Sequence, residues 1–188
     1  MNMHSLVRVL ASAGIAATVV TSAHVAAEED GHNTVEAAES TNTHYKYQGD
    51  TGYGDGSFLT NDALINTLED DGDLSFNGHI IEASEDDYEK HSDKKYKLVK
   101  EKDQKFTTYG GTATKVVFPI QDEELAIEDI TEAYGDDFEI EESKDGKHET
   151  YVYKLGDQED DTKKNIIAFK VEDGYVTQST IGYSKSYK

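Results

Sequence analysis

Cysteine and tryptophan are absent from this 188-residue chain, and proline occurs once, as Pro119. Without cysteine there is no disulfide framework, thiolate nucleophile, Cys-ligated zinc or iron–sulfur cluster, so an exported chain of this kind is held by packing alone. Positive charge is also scarce, with 18 Lys+Arg against 39 Asp+Glu and a formal net charge of -21. Such a balance favours solubility and opposes non-specific attachment to DNA, RNA or anionic lipid headgroups. Against these shortages stand 12 Tyr and 6 Phe within a 36% hydrophobic composition, enough for the modest core of one domain and an argument against full disorder.

Residues 1–27 read as a secretory signal peptide. A short n-region ends at Arg8, the uncharged stretch Val9–Val20 is too short and Ala-rich to span a bilayer, and Val25 and Ala27 provide small residues for cleavage before Glu28. Cleavage removes only Arg8 among the charged side chains, leaving 17 basic against 39 acidic and a formal -22. No later segment is apolar enough to cross a membrane, and there is no lipobox cysteine. The mature protein is expected to be secreted, extracellular or loosely held at the cell surface.

Residues 28–44, EEDGHNTVEAAESTNTH, have almost nothing to bury and read as a disordered spacer, with a single domain over 45–188. Tyr45–Gly49 enters a Gly-rich loop at Gly52, Gly54 and Gly56. Thr60-Asn61-Asp62 offers cap chemistry for a helix carrying Leu64, Ile65 and Leu68. Strand-like stretches follow at Leu74–Ala83, Tyr96–Tyr109 and Ala113–Ile120. Ile127, Ile130 and Tyr134 fall at helical spacing before Gly135, which suits a left-handed C-terminal cap. Phe138–Glu142, a turn at Lys144–Lys147, alternating Tyr151 and Tyr153, then Ile167, Phe169 and Val171 lead to an Asp173-Gly174 hairpin and a last strand from Val176. The expected fold is α+β, an antiparallel sheet with short helices on one face, built from two helix-plus-three-strand half-repeats.

The stretches YKYQGDTGYGDGSFLTNDALINTL, LSFNGHIIEA, KVVFPI with the following IEDITEAYGDDF, and the closing VTQSTIGYSKSYK resemble the immunodominant staphylococcal antigen B family. The likeness runs from Tyr45 to Lys188, and its most specific parts are FNG at Phe76–Gly78 and AYG at Ala133–Gly135. A helix ending in Gly, a Tyr-x-Tyr strand and a DG hairpin also look like the half-repeat of β-lactamase-inhibitor-like and outer-membrane-assembly lipoprotein domains, which are binding and scaffold modules. The family resemblance implies a secreted, surface-associated immunogen of a Gram-positive bacterium with no catalytic residues to carry over. It also implies extracellular nucleic-acid binding, an activity at odds with a net charge of -22 after loss of Arg8, because affinity for a polyanion comes largely from Lys and Arg.

A search for catalytic or metal chemistry finds little. His79, His91 and His148 lie in the expected domain without an HExxH pair or ligand spacing, and they read as ordinary surface or half-buried histidines. Gly54-Asp55-Gly56-Ser57-Phe58 is not a nucleophile elbow, and the Gly series lacks the GKS/T ending of a phosphate loop. The acidic runs Asp157–Asp161 and Glu69–Asp73 do not continue as EF-hand loops. The expectation is a non-enzyme without metal or cofactor.

Charge placement is more informative. Between Gln121 and Glu142 there are eleven acids and no base, including Asp136 and Asp137 beyond a helix end, where negative charge opposes the dipole. Lys90–Lys105 is the reverse, seven Lys against Asp93, Glu101 and Asp103. Within it, Lys94, Lys95, Lys97, Lys100, Lys102 and Lys105 are the candidate nucleic-acid-binding residues, with Tyr96 and Phe106 as stacking surfaces. Alternation puts Tyr96 and Leu98 on one face and Lys95, Lys97 and Val99 on the other, so Tyr96 also reads as core. The alternative for Lys90–Lys105 is a solvated strand whose lysines guard a sheet edge. Two functions compete: an extracellular binding protein, with nucleic acid as the family-derived partner, and a protein-binding or inhibitor-like module that turns its acidic face to a basic partner.

Overall fold

The computed structural model describes residues 44–51, 56–121, 123–144 and 146–187. The expected signal peptide, all of the expected spacer except His44, and Gly52 and Gly54 lie outside those residues. In chain order the elements are β1 (His44–Tyr47), a helical turn at Ser57–Thr60, α1 (Asp62–Glu69), β2 (Asp73–Phe76), β3 (His79–Ile81), α2 (Glu85–His91), β4 (Tyr96–Glu101), β5 (Gln104–Tyr109) and β6 (Thr112–Pro119). There follow α3 (Ile127–Tyr134), β7 (Glu139–Glu142), β8 (Glu149–Leu155), a helical turn at Asp161–Lys163, β9 (Asn165–Glu172) and β10 (Tyr175–Ile181). Ten strands and three short helices among the described residues make an α+β fold. Among the described residues no helix is long and apolar enough to cross a membrane.

Local chemistry accounts for the helix boundaries. Asn61 caps α1, its side-chain oxygen accepting from the Ala63 N–H at 2.8 Å, while Leu64, Ile65 and Leu68 turn inward. The α3 start is held by Asp129, whose carboxylate accepts from the Ala126 N–H at 3.2 Å. Gly135 ends this helix at φ 81 and ψ -170, a positive φ that favours glycine but lies outside the left-handed helical region expected for the cap. Ser84 starts α2, accepting from the Asp87 N–H at 3.1 Å, with Glu85, Asp86 and Asp87 in the first turn and Lys90 and His91 in the last, all on the sides that the helix dipole favours.

The sheet is mixed, which corrects the antiparallel expectation. Its order is β1-β2-β3-β6-β10-β9-β8-β7, with β5 and then β4 branching from β6. Two pairings are parallel: β1 with β2 (Tyr45 opposite Leu74), and β3 with β6 through Ile81 and Ala113. The remainder are antiparallel hairpins and meanders, apart from the long-range pairing of β6 with β10. The two halves are not equivalent. The first places α2 between the β2–β3 pair and the three strands β4, β5 and β6, whereas the second runs from α3 into four strands.

Nor do all the helices share one face. The main core lies on the side of the sheet covered by α1, α3 and the Ser57–Thr60 turn. There Phe76 and Phe118 meet with ring centroids 4.8 Å apart, Phe58 adds an edge contact to Phe118 at 5.6 Å, and Tyr134, Tyr153 and Phe169 form a second aromatic group. On α2, Tyr88 instead contacts Tyr109 and Tyr183, toward the opposite face. That face holds a smaller cluster of Val152, Ile166 and Ala168, over which Tyr183 and Tyr187 of the C-terminal segment pack.

The FNG stretch has a clear structural role. Phe76 is fully buried, Asn77 takes the left-handed conformation at φ 46 that turns β2 into β3, and Gly78 follows at φ 85. The Asn77 side chain also clasps Gly49, donating from Nδ2 to its carbonyl at 3.0 Å and accepting from its N–H at 2.8 Å. One residue therefore both closes the hairpin and fixes the chain leaving β1.

Candidate functional site

The basic stretch forms a hairpin at one border of the sheet. Of its two strands, β4 pairs among the described residues with β5 alone and so presents an edge, the arrangement in which lysines discourage edge-to-edge association. Lys94 and Lys95 precede β4, Lys97 and Lys100 lie within it, Lys102 occupies the turn at φ 58, and Lys105 is the second residue of β5. None of the six is ion-paired with a carboxylate among the described residues.

Register decides which side chains share a face. Tyr96 pairs with Tyr109, Leu98 with Thr107, and Lys100 with Lys105, all on the face away from the main core. Tyr96 is 51% exposed and Leu98 67%, while Val99 packs against the core opposite the fully buried Phe106. Tyr96 is therefore a surface residue, and Phe106 is unavailable as a stacking platform. Lys97 and Val99 share the other face by alternation, so Lys97 projects away from the Tyr96 side while remaining exposed at the edge.

Three further tyrosines join Tyr96. Its ring lies 5.7 Å from that of Tyr109, Tyr109 meets Tyr88 edge-on at 5.6 Å, and Tyr88 meets Tyr183 at 5.1 Å. The Lys185 ammonium sits 6.0 Å from the Tyr88 ring centroid, at the outer limit of a cation–π contact. Four rings from α2, β4, β5 and the segment after β10 thus form a continuous aromatic strip, with Lys100 and Lys105 on the same face of the hairpin and Lys185 beside Tyr88. Partial burial raises the Tyr109 hydroxyl above its ordinary value, and a hydrogen bond to Glu85 pushes Tyr183 up to about 12. These phenols are neutral at physiological pH and add no negative charge to the strip.

The lysines nearest the rings are positioned by neighbours. Lys94 donates from Nζ to His91 Nδ1 at 2.6 Å, and the other imidazole nitrogen, Nε2, donates to Glu82 at 2.7 Å. The Lys94 stem passes so close to Gly110 that a β-carbon there would lie 2.7 Å from Lys94 Cδ, and Gly110 itself has φ 63. Lys100 opposite Lys105 is a directly facing like-charge pair, which a sheet selected for stability alone would avoid.

The other residues considered from sequence have structural work. His79 lies against Phe106 with ring centroids 4.3 Å apart, and the His148 N–H donates to Ser143. Asp160 accepts from the Thr162 N–H and hydroxyl, and Asp161 pairs with Lys164 at 2.8 Å. The acidic face of α3 borders a shallow groove of about 420 Å³, where Asp62, Glu124, Asp129 and Glu132 surround Leu125 and Ala133. Sequence reading brought out the lysines and the acidic run. It missed Tyr88, Tyr109, Tyr183 and Lys185, which are scattered along the chain and meet only through the fold.

A family model described as immunodominant staphylococcal antigen B matches residues 44–181. No curated protein and no solved structure matches the chain.

Proposed function

The chain belongs to the immunodominant staphylococcal antigen B family, and from that premise we propose that it is a secreted, non-enzymatic antigen acting as an extracellular binding protein through its β4–β5 hairpin. The observation that carries this reading is the tyrosine strip flanked by lysines without ion-pair partners. The exposed Tyr96 ring, backed by the half-buried rings of Tyr109, Tyr88 and Tyr183, can accept an unstacked base whatever its sequence, and the lysines neutralise phosphates. Single-stranded nucleic acid is therefore the ligand best suited to the surface.

The chemistry also limits the affinity. The only arginine in the sequence is Arg8, so residues 44–181 offer no guanidinium fork for phosphate and rely on ammonium point charges. The acidic body opposes a polyanion over roughly 10 Å at 0.1 M salt. Binding is expected to be weak, salt-sensitive and indifferent to sequence. If about four phosphates are neutralised, the slope of log affinity on log salt for a single strand is about -3. A salt titration with labelled single-stranded DNA tests this. The expected result is affinity at low ionic strength that follows that slope and is lost in both Tyr96→Ala/Tyr109→Ala and Lys100→Glu/Lys105→Glu variants. No binding at low salt, or no loss in either variant, defeats the reading. Lys94→Glu/Lys95→Glu/Lys97→Glu examines the residues before and along the edge.

A second reading is favoured by the groove beside α3. Its four carboxylates around a small apolar floor suit a Lys- or Arg-bearing segment of a partner protein. Binding of cationic proteins with none of DNA selects this reading, and Glu132→Gln with Asp129→Asn is expected to weaken it.

A further inference from the structure

The face of the sheet opposite the main core carries a second feature, independent of the hairpin. The C-terminal segment after β10 crosses this face and is tied down at several points. The Tyr187 hydroxyl donates to the Gly182 carbonyl at 2.9 Å and accepts from the Ser184 N–H at 2.9 Å. The Tyr187 N–H donates to Glu141 at 3.2 Å, and Thr150 donates to the Tyr187 carbonyl at 3.3 Å. Beneath the segment lies a pocket of about 170 Å³, much larger than a single water requires.

The pocket's chemistry is one-sided. Lys115 enters from β6 and Lys170 from β9, with hydroxyls of Thr150 and Thr180 on the sheet and Ser184 on the crossing segment. Lys170 is compensated by Glu172 at 2.8 Å. Lys115 is not: its Nζ donates to the Ser184 hydroxyl at 3.4 Å, a long hydrogen bond, and it has no carboxylate partner among the described residues. Burial alone holds Lys115 below the ordinary lysine range. In a chain of net charge -21, a half-buried cation without a counter-charge amid neutral hydroxyls is the reverse of the general pattern.

We propose that this pocket binds a compact phosphate group, with Lys115 as its principal cation, the Thr180 hydroxyl as a further donor, and the Thr150 and Ser184 hydroxyls able to turn to it from the Tyr187 and Ser186 carbonyls to which they donate. An oxyanion supplies the missing counter-charge, and each charge-assisted hydrogen bond to it is stronger than the neutral contact that it replaces. Because Ser184 lies on the crossing segment, an occupant would also help to hold that segment on the sheet.

The test uses the whole mature protein with inorganic phosphate as probe, read by thermal denaturation and titration calorimetry at constant ionic strength with chloride as the replaced anion. A saturable rise in Tm and a binding isotherm are expected in the parent. Lys115→Met keeps the aliphatic stem and removes the charge, and it should weaken the isotherm at least about tenfold. Thr180→Val should weaken it less. Saturation matters because phosphate also stabilises proteins in proportion to its concentration, without a site. A phosphomonoester such as glycerol phosphate distinguishes two sources: binding as tight as inorganic phosphate identifies an esterified phosphate end, and rejection identifies the free ion. The proposal is overturned if the parent shows only the non-saturable effect, or if Lys115→Met and Thr180→Val both bind phosphate like the parent. Failure of phosphate binding and failure of the hairpin reading remain distinguishable, because Tyr96, Tyr109, Lys100 and Lys105 do not line this pocket.

Discussion

Tyr134 couples α3 to the rest of the core, and Tyr134→Phe isolates how. The phenol donates to the Leu59 carbonyl at 2.6 Å, joining α3 to the Ser57–Thr60 turn, while the ring packs at a tilt against Tyr153 at 5.2 Å and edge-on against Phe169 at 5.3 Å. Desolvation raises the Tyr134 hydroxyl above its ordinary value, so the bond is shielded from water. Leu59 is fully buried, and removing the hydroxyl leaves its carbonyl without a donor. That loss is expected to destabilise by about 1–3 kcal/mol, a fall in Tm of roughly 3–10 °C for a folded part of this size. Tyr134→Ala removes the ring as well and is expected to reach about 3–5 kcal/mol. Far-UV circular dichroism on heating, with urea midpoints as a second measure, gives both values. If Tyr134→Phe melts within about 1 °C of the parent, the bond does not hold α3 in place, and the argument from a shielded carbonyl fails.

Asn77→Ala is expected to lose about 2–3 kcal/mol in urea unfolding, since it gives up both side-chain bonds to Gly49 and keeps a positive φ; Asn77→Gly relieves the backbone alone and should recover only part. At Gly182, φ is 111 and a β-carbon would lie 2.2 Å from the Thr114 carbonyl oxygen, so Gly182→Ala should lower the urea midpoint by an amount equivalent to about 2–5 kcal/mol. Burial pushes Tyr47 and Tyr153 up to about 12 and raises Tyr45 and Tyr187, so the folded state retains protons that the unfolded state releases. Stability is then unaffected below the ordinary tyrosine value of 10.0 and falls as pH rises from there toward about 12. Tyrosinate absorbance should rise in a step coincident with loss of circular dichroism, and complete ionisation of the phenols while the native spectrum persists would contradict this.

Much of the fold was legible where the signal was local. Ile127, Ile130 and Tyr134 with Gly135 marked α3, Asn61 marked the start of α1, and Asp173-Gly174 marked the β9–β10 turn. By contrast, α2 was missed because its capping serine and dipole-matched charges surround a single aromatic residue, Tyr88, and no apolar period announces it. The stretches Leu74–Ala83 and Tyr96–Tyr109 read as continuous strands because their turns are short, and the second turn, at Lys102-Asp103, contains no glycine. Parallel pairings such as Ile81 with Ala113 leave no mark in either segment alone. At the site, the lysines were visible as a charge excess. The side on which Tyr96 lies was not, since an edge strand with apolar residues on both faces does not declare which face is buried.

β6 touches three separate parts of the sheet, and this bears on how the molecule is assembled in time. The β4–β5–β6 and β7–β8–β9–β10 meanders can each form from near neighbours, but joining Val116–Pro119 to Gln178–Ile181 requires segments about sixty residues apart. Closing so long a span adds only slowly to the entropic penalty, yet it delays the contact that unites the halves. Until β10 arrives, one side of β6 presents unpaired backbone beside Val116, Val117 and Phe118, which invites another chain to pair there. A chain entering the extracellular space amino end first would carry that open seam, and the mutual repulsion of its many carboxylates is what would keep neighbouring copies from closing it for one another.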